Sequence, residues 1–317
     1  MDTTRAKERL SIEVKMTDRC NQACSHCVNA DGPAPGRDID AGLVIRRLEE
    51  WGKDRENSVC DLKEVRLTGG EPLILFDEVL AIAGCCRKLG IRSGINTNGL
   101  LLDPDLVRRM KAGGIEVVKV SLDAMDSAAY ARLRGPLPSF RSLLDTIKDL
   151  IRNDFKVILR FTLMRENRGY LIACQKLAGE IGVYKLQVKP LIRSGRAAEP
   201  EAFLSRGDID EAFRQLAEAQ NGTRIPVEIL CWPPVSGTSF SYKNCGSIDK
   251  IYISPDLRVS ICNFVEGHKE SAIGDLAQVP LETILRDRCD GTRTERIDAF
   301  TLVKGCPNAP YYERPRI

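Results

Sequence analysis

The chain of 317 residues carries 47 Lys and Arg against 44 Asp and Glu, a net charge of +3. Its basic residues are scattered, so it lacks the electrostatic footprint of a nucleic-acid binder. With 43% hydrophobic and 29% charged residues it has material for a sizeable core and little room for long disordered tracts.

No apolar stretch approaches a membrane span, and MDTTRAKERL is not an apolar signal segment. The expectation is a cytoplasmic protein with no nucleic-acid or membrane partner. Twelve cysteines against two histidines, His26 and His268, point in that reducing compartment to metal or redox chemistry held by thiolates.

From about residue 11 to 190, short β-branched runs alternate with stretches of helical period, the pattern of βα units around a parallel sheet. The spacing predicts strands over 11–17, 64–69, 91–97, 117–123, 156–163 and 185–191. Helices are predicted near 40–53, 75–88, 103–112, 138–153 and 169–181, with Gly90 and Gly113–Gly114 as stops. Six units fall short of the eight in a closed barrel. The predicted fold is therefore α/β, a partial, open-sided (β/α)6 TIM-like barrel over 1–200. Residues 192–206 lose periodicity and read as a linker. From 201 to 317 a C-terminal loop-rich unit is predicted, with a helix at 208–220, a strand VEIL at 227–230, a hairpin turning at Pro255–Asp256 and a helix near 280–288.

Directly after the first strand lies CNQACSHC, with Cys20, Cys24 and Cys27. Three thiolates in one loop suit a [4Fe–4S] cube, which normally takes four ligands, and leave one iron open. Two plainer readings stand beside it: a zinc site completed by His26, or surface thiols without a metal. His26, between Ser25 and Cys27, is too tightly placed to share an ion comfortably. The second strand is followed by TGGEP, residues 68–72. Its paired glycines allow close backbone approach, and Glu71 offers an acceptor for an ammonium group.

CxxxCxxC after the first strand together with GGEP after the second resembles the radical S-adenosylmethionine (SAM) superfamily. The resemblance implies that Cys20, Cys24 and Cys27 hold a [4Fe–4S] cluster whose fourth iron is chelated by SAM. It also implies that Gly69, Gly70, Glu71 and Pro72 meet the methionine amino group. An electron delivered to the cluster would split the sulfonium to a 5′-deoxyadenosyl radical, which takes hydrogen from an unactivated C–H bond. Residues at the ends of the third and fourth strands sit where parallel barrels place ligand groups. There Asn96, Thr97, Asn98, Ser121 and Asp123 offer groups to a ribose or substrate, or else cap turns and helix starts. By pleat alternation Arg160 and Lys189 could face the cavity, as anchors for a carboxylate or hydroxyl or as rim salt bridges.

The run from Cys245 to Cys262, followed by GCPNAP around Cys306, resembles the tail of the SPASM/twitch subgroup. That implies one auxiliary [4Fe–4S] cluster on Cys245, Cys262 and Cys306, with Cys231 or an open iron at the fourth position. Two positions depart from the subgroup: Leu257 replaces a turn glycine, and Ala309 a fourth ligand. Cys60, Cys85, Cys86, Cys174 and Cys289 read as small apolar residues in or beside helices.

The function implied is a radical SAM oxidoreductase or epimerase acting on a small polar metabolite such as a sugar, aminocyclitol or nucleoside, with flavodoxin or ferredoxin as electron donor. Only about ten residues precede the first strand, which argues against an appended peptide-recognition domain. Peptide modification is the first alternative, and a non-catalytic iron–sulfur or zinc protein the second.

Overall fold

Alternation within each strand builds the architecture. In β1 (Glu8–Lys15) the residues Leu10, Ile12 and Val14 are buried. Ile12 and Val14 meet Val44 and Leu48 of α1 (Ala41–Lys53), whereas Ser11 and Glu13 face the opposite, concave side. The same alternation recurs in β2 (Cys60–Thr68), β3 (Arg92–Thr97), β4 (Ile115–Ser121), β5 (Lys156–Leu163) and β6 (Lys185–Pro190). The fold is given by a computed structural model that describes residues 7–29, 36–135, 140–198, 202–220, 225–243, 249–265 and 272–289.

Between these strands run α2 (Phe76–Lys88), α3 (Pro104–Gly113), α4 (Ser127–Arg134), α5 (Phe140–Arg152) and α6 (Leu171–Ile181). Local chemistry sets their ends. Asp40, Asp103 and Asp126 cap α1, α3 and α4 by accepting from the backbone N–H three residues on, and Gly114 and Gly182 end α3 and α6 at φ 98° and 75°, where a Cβ would be strained. α7 (Arg206–Ala219) then leads into β7 (Val227–Leu230) and β8 (Ser241–Lys243). After these come β9 (Lys250–Ile253), β10 (Arg258–Ser260), β11 (Ala272–Asp275) and α8 (Leu281–Cys289).

All eleven strands form one sheet in the order β11-β10-β9-β1-β2-β3-β4-β5-β6-β7-β8. Pairing is parallel from β9 through β1 to β8, and antiparallel between β9, β10 and β11. The ends do not meet, so the sheet is the open, predominantly parallel α/β fold that six βα units lead one to expect. Its core lies between the outer face and the helices, with Leu67, Ile82, Val118, Phe161 and Phe213 at 0% exposure.

Three elements depart from expectation. The eight-residue α4 occupies a segment, SAAYARLR, too short to show a helical apolar stripe. β8 and β11 are three- and four-residue edge strands without a pattern of their own. Leu257, at the expected glycine position of the β9–β10 turn, adopts the left-handed φ of 65° that such a turn requires, and its side chain packs on the core. Among the described residues no helix is long and apolar enough to cross a membrane.

Candidate functional site

The cysteine loop leaves the C-terminal end of β1, where ligand sites of parallel sheets collect. Ion pairs fix its entry: Lys15 and Arg37 bind Asp18, and Arg19 holds Asp38 through two nitrogens. Its middle rests on the end of α4, because Ser25 donates its N–H to Leu133 O at 2.9 Å and Gln22 donates to the Tyr130 hydroxyl at 3.1 Å. Its far end is pinned by the turn after β6, where Arg196 N–H meets Cys27 O at 3.0 Å. Gly195 there has φ 60°, and a Cβ would come within 2.3 Å of the same carbonyl. Cys20, Cys24 and Cys27 are all free thiols and all line one cleft of about 210 Å³. Burial pushes the Cys20 and Cys24 thiols up.

The GGEP segment lies directly against this loop. Gly70 N–H donates to Thr17 O at 2.7 Å and Glu71 N–H to Arg19 O at 2.8 Å. A Cβ on Gly70 would stand 2.1 Å from the Arg19 carbonyl, and one on Gly69 2.8 Å from that of Thr17, so backbone packs on backbone. Gly69 and Gly70 line the cleft.

Glu71 takes a different place from the one expected. Its carboxylate is 1% exposed and accepts from Thr97 Oγ1 at 2.8 Å, Asn98 N at 2.8 Å and Leu73 N at 3.2 Å. Burial raises its pKa to about 7 despite those donors. It therefore ties the β2 loop to the β3 loop. Pro72, also buried, opens the short 3-10 turn that follows.

Of the strand-end residues, Asn96 and Ser121 keep groups for a ligand. Asn96 Oδ1 is buried without a partner, and both residues line the cleft. Thr97 and Asn98 border the cleft with their side chains otherwise engaged: Thr97 holds Glu71, and Asn98 donates to Asn21 Oδ1 at 2.7 Å beside Cys20.

Asp123 is engaged within the protein. Expected to offer a carboxylate to a ribose, it is 0% exposed and accepts from the Arg134 guanidinium and from Thr162 N at 2.7 Å, with His26 Nε2 at 3.1 Å. Burial alone would raise its pKa, but Arg134 and His26 hold it well below the carboxylate range. It anchors the histidine between Cys24 and Cys27 to β5 and to the end of α4.

Arg160 and Lys189, on adjacent strands, do face the cleft, together with Glu13, Lys250 and Phe264. Glu13, Lys250 and Arg134 were not legible as site residues. The first two alternate inward on their strands, which is the signal that could have found them; Arg134 lies on the unforeseen α4. Cys231, just after β7 with φ 55°, lines the cleft with Lys250, and Cys262 is half-buried. Cys245 and Cys306 lie outside the described residues. Cys60, which opens β2, and Cys85, Cys86 and Cys174 are buried thiols as expected, whereas Cys289 donates to Glu8 at 3.3 Å.

Whether the loop suits an iron–sulfur cube can be judged from its donors. Among the described residues no three His, Cys, Asp or Glu side chains converge as one metal ion requires. A cube binds each thiolate on a separate iron and does not need that convergence. Three thiols around one cleft, a backbone cradle with no room for a Cβ and an orphaned acceptor on Asn96 fit a cube with a small polar ligand on its open iron.

A family model described as the radical SAM superfamily matches residues 14–178. The "AdoMet-dependent heme synthase" of Methanosarcina barkeri is 28% identical over 222 residues, 70% of this chain and 62% of that protein. The "GTP 3',8-cyclase" of Synechococcus sp. is 34% identical over 145 residues, 43% of this chain and 39% of that one. The chain thus spans less than two thirds of either relative. Among solved structures, Streptococcus suis SuiB bound to its precursor peptide SuiA superposes with a TM-score of 0.74 at 15% identity, over 98% of this chain and 76% of that one. This last likeness is one of fold.

Two outcomes follow from the geometry. Asp123→Ala leaves the buried Arg134 charge unpaired and should destabilise the SAM-free protein by about 3–5 kcal/mol in urea unfolding; a ribose contact alone would leave that midpoint unmoved. Gly70→Ala sets a methyl against a carbonyl that cannot yield. It should lose about 1–3 kcal/mol of stability and bind less iron on anaerobic reconstitution.

Proposed function

This chain belongs to the radical SAM superfamily, and from that premise we propose that it is an enzyme removing a hydrogen atom from a small polar metabolite, with dehydrogenation or epimerisation as the outcome. The observation that carries the reading is the gathering of Cys20, Cys24 and Cys27 over Gly69 and Gly70 around one cleft at the C-terminal end of the parallel strands. A cluster and SAM, when bound, supply an electron and an adenosyl group that together abstract one hydrogen atom from a substrate C–H bond.

The chain's own residues do the rest. The three thiols hold the cluster, and the Gly69–Gly70 backbone lies flat enough for SAM to approach. Asn96 Oδ1 and the Ser121 hydroxyl supply polar contacts on its floor. Arg160, Lys189 and Phe264 line the cleft and would orient the substrate and exclude water from it. Cys262, with Cys245 and Cys306, would hold an auxiliary cluster, with Cys231 or an open iron at its fourth position. A flavodoxin or ferredoxin would deliver the electron.

Anaerobic reconstitution tests the whole assignment. The wild type should bind about eight irons, at four per cube, and with reductant release 5′-deoxyadenosine from SAM. Joint replacement of Cys20, Cys24 and Cys27 by Ala should abolish that release and leave about four irons. A wild type with about four, and a triple variant with none, would remove the auxiliary cluster and leave the radical chemistry standing.

A further inference from the structure

Charge on the concave face of the sheet is arranged in an orderly way. An inner cavity of about 340 Å³ shares Glu13, Leu230, Cys231 and Lys250 with the outer cleft, so the two adjoin at the Glu13–Lys250 pair. Several cations on this face have carboxylate partners. Arg66 and Arg92 bind Glu64, Lys185 binds Glu228 at 3.1 Å, and Lys250 donates to Glu13 at 3.2 Å. Lys119, Lys156, Arg160 and Lys189 have neither a hydrogen bond nor an ion pair from their side chains among the described residues; Lys156, exposed at the start of β5, lies over the Tyr184 ring, and the other three face inward.

The register of β4, β5 and β6 sets these three on a diagonal. Lys119 pairs with Ile158, two residues before Arg160, and Arg160 pairs with Gln187, two residues before Lys189. Each step crosses one strand and climbs two residues, which puts successive Cα atoms about 8 Å apart from the usual strand spacing and rise. Ser121 stands beside Arg160 and Thr162 beside Lys189, both on the cleft. Lys119 lines the inner cavity, whereas Arg160 and Lys189 line the outer one. Lys189 is 9% exposed, with Nζ 4.9 Å from the Phe264 ring centroid.

Buried charge is stable when paired and expensive when not. Burial pushes the Lys119 and Lys189 ammonium groups down, Lys189 to about 8, and Arg160 pushes both the same way. An anion entering the cleft would relieve the burial and the repulsion together. A single small anion reaches one rung; a molecule bearing two or more charged groups spans the ladder.

We infer that the cleft binds an organic anion carrying at least two carboxylate or phosphate groups, held by Lys189 and Arg160 at the outer end and by Lys119 within. Naming this anion as the substrate rests on the radical SAM reading, whereas the anion site rests on the register of β4 to β6. Arg160 supplies a planar fork suited to a bidentate contact, and the lysines act as point charges.

The test is calorimetric titration of the reconstituted, SAM-loaded protein with tripolyphosphate and with 1,2,3-propanetricarboxylate, at low and at physiological salt. Saturable binding of at least one probe at one site per chain is expected, weakening with salt. Tripolyphosphate alone would mark a phosphorylated substrate, and the tricarboxylate alone a polycarboxylic acid. Arg160→Gln and Lys189→Gln should each weaken the bound probe at least tenfold. Both variants should melt no lower than the wild type without probe, because an unpaired cation is removed. Arg108→Gln, on the exposed face of α3, should bind as the wild type does.

Equal binding to the Arg160→Gln/Lys189→Gln double variant, no binding by the wild type, or a double variant that fails to fold would each overturn the inference. Release of 5′-deoxyadenosine by the wild type, read separately, distinguishes the two claims. Release without anion binding sinks the anion site alone, and anion binding without release sinks the radical SAM reading alone.

Discussion

Everything at the site depends on how closely two stretches of backbone approach. The chain leaving β1 at Thr17–Arg19 and the chain leaving β2 at Gly69–Glu71 are joined by backbone hydrogen bonds of 2.7 Å, from Gly70 N–H to Thr17 O, and 2.8 Å, from Glu71 N–H to Arg19 O. At Gly70 a methyl group would sit 2.1 Å from a carbonyl oxygen, inside any tolerable contact, so glycine is demanded there by space. That contact sets the height of the cysteine loop above the sheet, and so decides that three thiols end up around one cleft. Residues that fasten the loop elsewhere, from Arg19–Asp38 at its start to Arg196 at its end, hold a position the glycines have already set.

Two carboxylates show how the same fold uses buried charge for support. Glu71 is surrounded by donors from Leu73, Thr97 and Asn98, and joins the loops after β2 and β3. Asp123 is surrounded by Arg134, His26 and the Thr162 N–H, and joins the cysteine loop to β5 and α4. Each belongs to a motif that suggests ligand binding, and each is bonded here to residues that line the cleft or brace its loops. Losing either would disturb the thiols indirectly, since Asn98 lies beside Cys20 and His26 lies between Cys24 and Cys27.

The sheet was legible because apolar alternation in β1 to β6 is strong and the helices between them carry their own stops. The cysteine and glycine motifs were legible because both depend on residue type at fixed spacing. The direction in which Glu71 and Asp123 point was not, since a carboxylate at a strand end can turn to the cleft or away from it. Only the neighbours decide: Thr97 for Glu71, and Arg134 from the unforeseen α4 for Asp123. β8 and β11 were missed for a different reason. At three and four residues they owe their strand geometry to the neighbour they pair with, β7 and β10, and carry no pattern of their own.

The inward positions of the sheet carry a second message. Closed parallel barrels fill their interior with branched apolar residues in layers, whereas here the corresponding positions hold Glu13, Arg66, Lys119, Arg160 and Lys189. An open sheet need not fill its concave face with apolar side chains and so has room for these charges. Selection for packing alone would still favour matched pairs, as at Lys250–Glu13 and Lys185–Glu228. Apart from the exposed Lys156 at the start of β5, the unmatched cations among the described residues fall on three consecutive strands, climb in one direction and end next to the thiol cleft. Charge left over from folding would have no reason to follow a strand register, whereas a ligand laid across β4, β5 and β6 gives it one. The same open side that spares the sheet an apolar filling thus supplies both the entrance and the anchor for an anionic guest.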